Sequence, residues 1–223
     1  MKVFCLFALF LPSFVWAAPD ESEMRSLVKA LYSDSISRNA LEASRETRAL
    51  LWKNEPTVDA VLLPLLHEAL TGQDAQARQY ATLIIIDASL HAGRPEHGKA
   101  WPSAVYANLI EALRGETDFY SSSQAYQRLL FGISWAAHSN QLEMVIPLFE
   151  NALNSESRPI RHFAAMLLVR CYEKQGVGVA SWPDAVISNL IEALHNDDVV
   201  GNACCALDLL KNLKNNLAGK SAS

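Results

Sequence analysis

Apolar residues recur along this chain at the spacing of one helix face, and the apolar runs come in pairs. Ala77, Ala81, Ile84 and Ala88 fall on one stripe. So do Leu142, Val145, Ile146 and Phe149, and then Ile160, Phe163, Ala164, Leu167 and Cys171. Recurrence at three, four and seven positions marks an amphipathic helix, because side chains one turn apart share a face. On this basis the chain predicts helices over 20–32, 35–54, 58–70, 75–90, 101–113, 119–138, 141–153, 158–174, 183–194 and 198–213. The stretch 35–54 is the most highly charged, with Arg38, Glu42, Arg45 and Glu46 on one side. That polarity suits a solvated end cap over the first apolar face.

The pairs repeat. WPSAVYANLIEAL over 101–113 returns as WPDAVISNLIEAL over 182–194, changed at three positions. VLLPLLHEAL ending at Leu70 and VIPLFENAL ending at Leu153 are looser echoes. The closing leucines, Leu31, Leu70, Leu113, Leu153 and Leu194, are spaced by 39, 43, 40 and 41 residues. A turn follows each, carrying Asp34, Asp74, Asp118, Ser157 or Asp197. Such side chains suit the N-cap of a following helix, where an oxygen accepts a bond from a free backbone N–H. Four residues later stand Arg38, Arg78, Ser122, Arg161 and Gly201, and then a small or apolar column of Leu41, Ala81, Ala125, Ala164 and Cys204. The two Trp-Pro copies lie 81 residues apart, twice the unit, which points to duplication of a two-hairpin block. Pro102 and Pro183 fall at helix starts, where a missing N–H is harmless. Trp101 and Trp182 are placed to pack the loop against the helix that follows. Pro64 falls inside a helix and is expected to bend it.

A unit of about 40 residues, holding two helices and a capped turn, has the period of HEAT or armadillo repeats. DAQARQYATLIII, ESRPIRHFAAMLL and DDVVGNACCALDLL resemble HEAT repeats in particular. The resemblance implies an all-α fold, an α-solenoid of about five HEAT-like helical hairpins forming an α-α superhelix. It also implies that the second helix of each pair lines an inner surface, which in HEAT-like proteins binds other proteins or peptides. The partner-binding candidates on those helices are Arg78, Thr82, Gln127, Trp135, Arg161, His162, Arg170, Asn202 and Lys211. Arg161 has a competing structural role, bonding carbonyls or the Asp column of a neighbouring repeat. Phe131 and Trp135 share a side with Gln124, Gln127 and His138, a stripe that is either core or an interface anchor.

Residues 1–17 read as a secretory signal: a charged start at Lys2, an apolar run over 3–15 and a small-residue cleavage site ending at Ala17. The run is too short for a membrane span. Cleavage there predicts a periplasmic or secreted protein with a single repeat domain over 18–216 and a flexible tail over 217–223. The net charge is −5, so no basic stripe is offered to nucleic acid. Cys171, Cys204 and Cys205 follow the signal. In the repeat register Cys204 stands seven residues from the Cys171 position, about 10 Å of helix rise. A bridge needs alpha carbons within about 7 Å, so small buried hydrophobes are expected. His91, Glu96 and His97 are metal-type ligands in the loop 91–100, but a closed site takes four with fixed geometry. No metal and no cofactor is expected. Beyond residue 17 there is no phosphate loop, HExxH, CxxC or GxSxG.

The expectation is therefore a non-catalytic protein-binding module of the cell envelope, whose partner is another protein, a secreted toxin or an envelope component. An immunity or inhibitor protein is its sharper form. A structural scaffold or adaptor is the rival, and a metal- or ligand-dependent enzyme comes third.

Overall fold

The computed structural model describes residues 19–33, 39–91, 100–115, 121–195 and 206–211. The expectations for the signal segment, Asp34, Arg38, Glu96, His97, Asp118, Asp197, Gly201, Asn202, Cys204, Cys205 and the tail lie outside the described residues. Within them the chain is all-helical and has no strand. The helices are α1 (Glu21–Lys29), α2 (Ala40–Trp52), α3 (Pro56–Thr71), α4 (Ala75–Leu90), α5 (Ser103–Ala112), α6 (Ser122–His138), α7 (Leu142–Ala152), α8 (Arg158–Gln175) and α9 (Asp184–Leu194). A single 3-10 turn, Val179–Ser181, precedes α9, and 206–211 is helical. Among the described residues no helix is long and apolar enough to cross a membrane.

Local chemistry fixes the helix starts. Asp20 accepts from the Glu23 N–H, Asn39 from Leu41 and Asp74 from Ala77, each satisfying a donor that the first turn leaves unpaired. Ser121 and Gln124 form a reciprocal capping box at α6. The caps of α2 and α6 are thus Asn39 and Ser121, downstream of the aspartates singled out in the sequence. Ser157 stands at the N-cap of α8 without a side-chain bond. Gly176 ends that helix at φ +69°, the left-handed conformation that glycine adopts most easily. Pro64 and Pro147 lie within α3 and α7, both on exposed sides.

Each helix pairs with the next: α1 with α2, α3 with α4, α5 with α6, α7 with α8. The pairs also touch their neighbours. The first helices α1, α3, α5 and α7 lie against one another in that order, and among the second helices α2 meets α4 and α6 meets α8. One apolar cluster runs from Met24 to Leu209 through this arrangement. Burying a leucine or isoleucine of this kind stabilises by about 1.5–3 kcal/mol. Two departures break the regularity. Helix α9 rests on α8 without touching α7, and α4 does not touch α6.

Trp101 accounts for the second departure. It is 2 % exposed, and its indole Nε1 donates to Ser89 Oγ of α4 at 2.8 Å. Its ring meets Tyr106 of α5 and Trp135 of α6, with centroids 5.6 and 5.7 Å away. The indole is thus wedged between three helices. Room for it exists because residue 132 is glycine. A Cβ there would stand 2.7 Å from Trp101 Cζ3 and from Tyr106 Cε1.

Candidate functional site

Two of the three arginines of the predicted row, Arg78 and Arg161, do the same job two hairpins apart. Arg78 Nη1 donates to the carbonyls of Gly72 and Gln73, and its Nη2 lies 3.7 Å from Glu111 of α5. Arg161 Nη1 donates to the carbonyls of Ser155 and Glu156, and its Nη2 lies 3.3 Å from Glu192 of α9. Each arginine closes its own turn and reaches a glutamate of the next hairpin. Those glutamates are the same residue of the two NLIEAL copies. Asp74 faces the other way and accepts from the N–H and Oγ of Ser33, on the preceding turn. The competing structural role foreseen for Arg161 is therefore met, among the described residues, by carbonyls and by a glutamate; Asp118 and Asp197 of the aspartate column lie outside them.

Other members of the row scatter. Thr82 is buried, donating to the Arg78 carbonyl and accepting from Asn108 Nδ2 at 3.1 Å. His162 is fully buried between α8 and its neighbours. Neither lies on an open inner wall, because α4 and α8 are covered from several sides. Trp135 is half-buried against Trp101. Gln127, Arg170 and Lys211 are exposed; Arg170 pairs with Glu173 at 2.8 Å, and Lys211 lies 4.0 Å from Asp208. Phe131, one turn before Trp135, is 59 % exposed. Arg48 of α2, within the charged stretch 35–54 expected to form a solvated end cap, is half-buried and bonds Asp87 of α4 at 2.7 Å.

His162 is the least satisfied polar side chain. Neither ring nitrogen makes a hydrogen bond, and Nε2 stands 3.6 Å from Glu192 Oε2. Burial pushes its pKa down, and the Glu192 carboxylate only partly offsets this. Glu192 itself is held below the usual carboxylate range. Burial pushes it up, but the hydrogen bond and charge of Arg161, with His162 and Arg158, outweigh that. Burial also raises the Cys171 thiol to about 12, so it stays protonated and unreactive as a nucleophile. Among the described residues no three His, Cys, Asp or Glu side chains stand close enough to hold a metal ion, and His91 stacks on Trp52 at 5.7 Å.

One of the surface concavities is a cleft of about 350 Å³ beside the Trp101 wedge. Leu63 and His67 of α3 form one wall, Ile85, Ala88 and Ser89 of α4 another. Ala100, Trp101 and Pro102 border it, and Gln141 and Met144 at the start of α7 complete it. Its origin is a difference in helix length. Helix α5 has 10 residues where α3 has 16, so α5 is shorter by about 9 Å at 1.5 Å per residue. Pro102 enforces the late start, since a residue preceding proline is pushed out of the helical region. The lining is mostly hydrocarbon. The Ser89 hydroxyl is already engaged, donating to the Ile86 carbonyl and accepting from Trp101.

Nothing in the sequence analysis pointed to this cleft. Its signal was the early Trp-Pro, which shortens the third hairpin, but a cleft needs α3 and α7 to flank that gap in space. Comparison with family models, with curated proteins and with solved structures finds no match to the chain.

Proposed function

We propose that this chain is an exported, non-catalytic protein-binding module of the cell envelope, built from stacked HEAT-like helical hairpins as an α-solenoid. The apolar cleft between α3, α4 and α7 carries the reading. It is preformed, lined mainly by hydrocarbon, and bordered by exposed side chains of two flanking helices. A rigid concavity of this kind takes an apolar anchor from a partner at little ordering cost. In its sharper form the module is an immunity or inhibitor protein, which needs only a complementary surface to block a toxic effector. The rival reading is a scaffold or adaptor. Exposed Phe131 favours it, because it offers a second apolar anchor on α6, away from the cleft lining.

The test is site-specific photo-crosslinking in the native host. A photoreactive residue at Met144 is expected to capture one protein, and the capture should vanish when Ala100→Trp fills the cleft. Capture at position 131 but not at 144 would move the docking site to α6 and remove the cleft reading. One protein captured at 144 and a different one at 131 would favour the scaffold. If the protein captured at 144 is a toxic effector, co-expression of this chain should rescue poisoned cells.

A further inference from the structure

Helices α3, α5 and α7 differ in charge from the helices they pair with. Helices α3, α5 and α7 carry Asp59, Glu68, Glu111, Glu143 and Glu150 and not one lysine or arginine. Their second-helix partners α4, α6 and α8 carry Arg78, Arg128, Arg158, Arg161, Arg170 and Lys174 against Asp87 and Glu173. Helices α3, α5 and α7 lie side by side, so their acids share one face, with α1 and its Arg25 and Lys29 at the far edge beyond α3 and Glu111 tied to Arg78. Between the acids this face also exposes small or apolar residues, Ala60, Pro64, Ala107, Met144 and Pro147, together with His67 and Asn151. Glu143 stands next to Met144 at the cleft mouth, and Asp59 stands one turn before Leu63 on its wall.

Charges within about 8–10 Å act on a docking ligand at physiological salt. An apolar hole with carboxylates on its flanking helices favours a partner with an apolar side chain and the opposite charge beside it, and long-range attraction speeds the encounter. We infer that the α3–α5–α7 face docks a cationic polypeptide segment, which inserts one aromatic or aliphatic side chain into the cleft and sets lysines or arginines against Glu143, Glu68 and their neighbours. This inference rests on the protein-binding reading given above and names the partner's chemistry.

The full chain is titrated with a short synthetic peptide bearing one central tryptophan flanked by lysines. Two control peptides replace the lysines with glutamates, or the tryptophan with alanine. Binding is read by fluorescence anisotropy at low and at high salt. The lysine–tryptophan peptide should bind about tenfold or more tighter than either control, and should weaken severalfold as salt rises. Glu143→Lys combined with Glu68→Lys should cut its affinity about tenfold, while Glu42→Lys on α2 should leave it unchanged. Met144→Asp should weaken it through loss of the apolar contact. All these positions are exposed, and an unchanged melting temperature confirms that each variant folds.

Equal binding of the glutamate peptide, or indifference to the paired charge reversal, overturns the cationic partner while leaving the docking reading to the crosslinking test. A concentration-dependent dimer broken by Met144→Asp overturns it in favour of a second copy of the chain. Absence of both peptide binding and capture at position 144 overturns both readings.

Discussion

His162 and Gly132 are two positions where a single atom's surroundings decide the outcome. His162 is buried with neither ring nitrogen hydrogen-bonded, and burial outweighs the Glu192 carboxylate 3.6 Å from Nε2, so the pKa of the folded imidazole is pushed down. The unfolded chain takes a proton near the ordinary histidine pKa of about 6.5. Its folded pKa is depressed, so its contribution is present above that value and is lost as pH falls. The loss is at most about 1.4 kcal/mol per pH unit. Urea unfolding of His162→Leu should show a flatter pH dependence between about 5.5 and 7 than the parent chain, since leucine removes the titrating group. At Gly132 the sign of a familiar substitution reverses. Alanine in place of a mid-helix glycine normally stabilises by about 0.5–1 kcal/mol. Here the new methyl would strike Trp101 and Tyr106, whose hydroxyl already donates to the Gly132 carbonyl at 2.9 Å. Gly132→Ala should therefore lower stability by about 1–3 kcal/mol in denaturant melts.

The two Trp-Pro segments share a sequence but differ in how their elements seat them. Trp101 donates to Ser89, whereas the indole N–H of Trp182 is buried without a partner and its ring lies 6.3 Å from Tyr172. Phenylalanine at either position loses similar packing, but only Trp101→Phe also breaks a hydrogen bond. Its cost should exceed that of Trp182→Phe by about 0.5–1.5 kcal/mol in thermal melts. The arginine ties divide similarly. The Arg161–Glu192 pair is reinforced by Arg158 Nε at 3.3 Å, while Arg78–Glu111 rests on a single 3.7 Å approach. Double-mutant cycles should give a coupling near zero for the Arg78 pair and one toward about 1 kcal/mol for the Arg161 pair, both carboxylates being part-exposed. Helix positions were legible in the sequence, because the 3.6-residue period survives any tertiary context. The caps of α2 and α6 were not, since Asn39 and Ser121 compete with equally plausible aspartates upstream. The burial of Thr82 and His162 was hidden too, because periodicity marks one apolar face and α4 and α8 are covered on several.

At the scale of the whole molecule two carboxylates that tie hairpins together, Asp74 and Glu192, share a response to acid. Asp74 is held below the usual carboxylate range. Partial burial pushes it up, but hydrogen bonds from Ser33, Ala77 and Gln76 prevail. Glu192 is depressed in the same sense. A depressed carboxylate contributes stability above its unfolded pKa of about 4, and that stability is lost as pH falls through the folded value. Acid melting temperatures should fall gently below about 6.5 and more steeply below about 4, and Asp74→Asn should blunt the second decline.

The missing contact between α4 and α6 has a mechanical consequence. A rod whose layers touch everywhere resists flexing evenly along its length. Among the described helices the second layer is interrupted between α4 and α6, which the Trp101 indole and α5 connect. Load passing from α4 to α6 goes through α5 and this ring, so the seating of one side chain decides how firmly the second hairpin is held against the third.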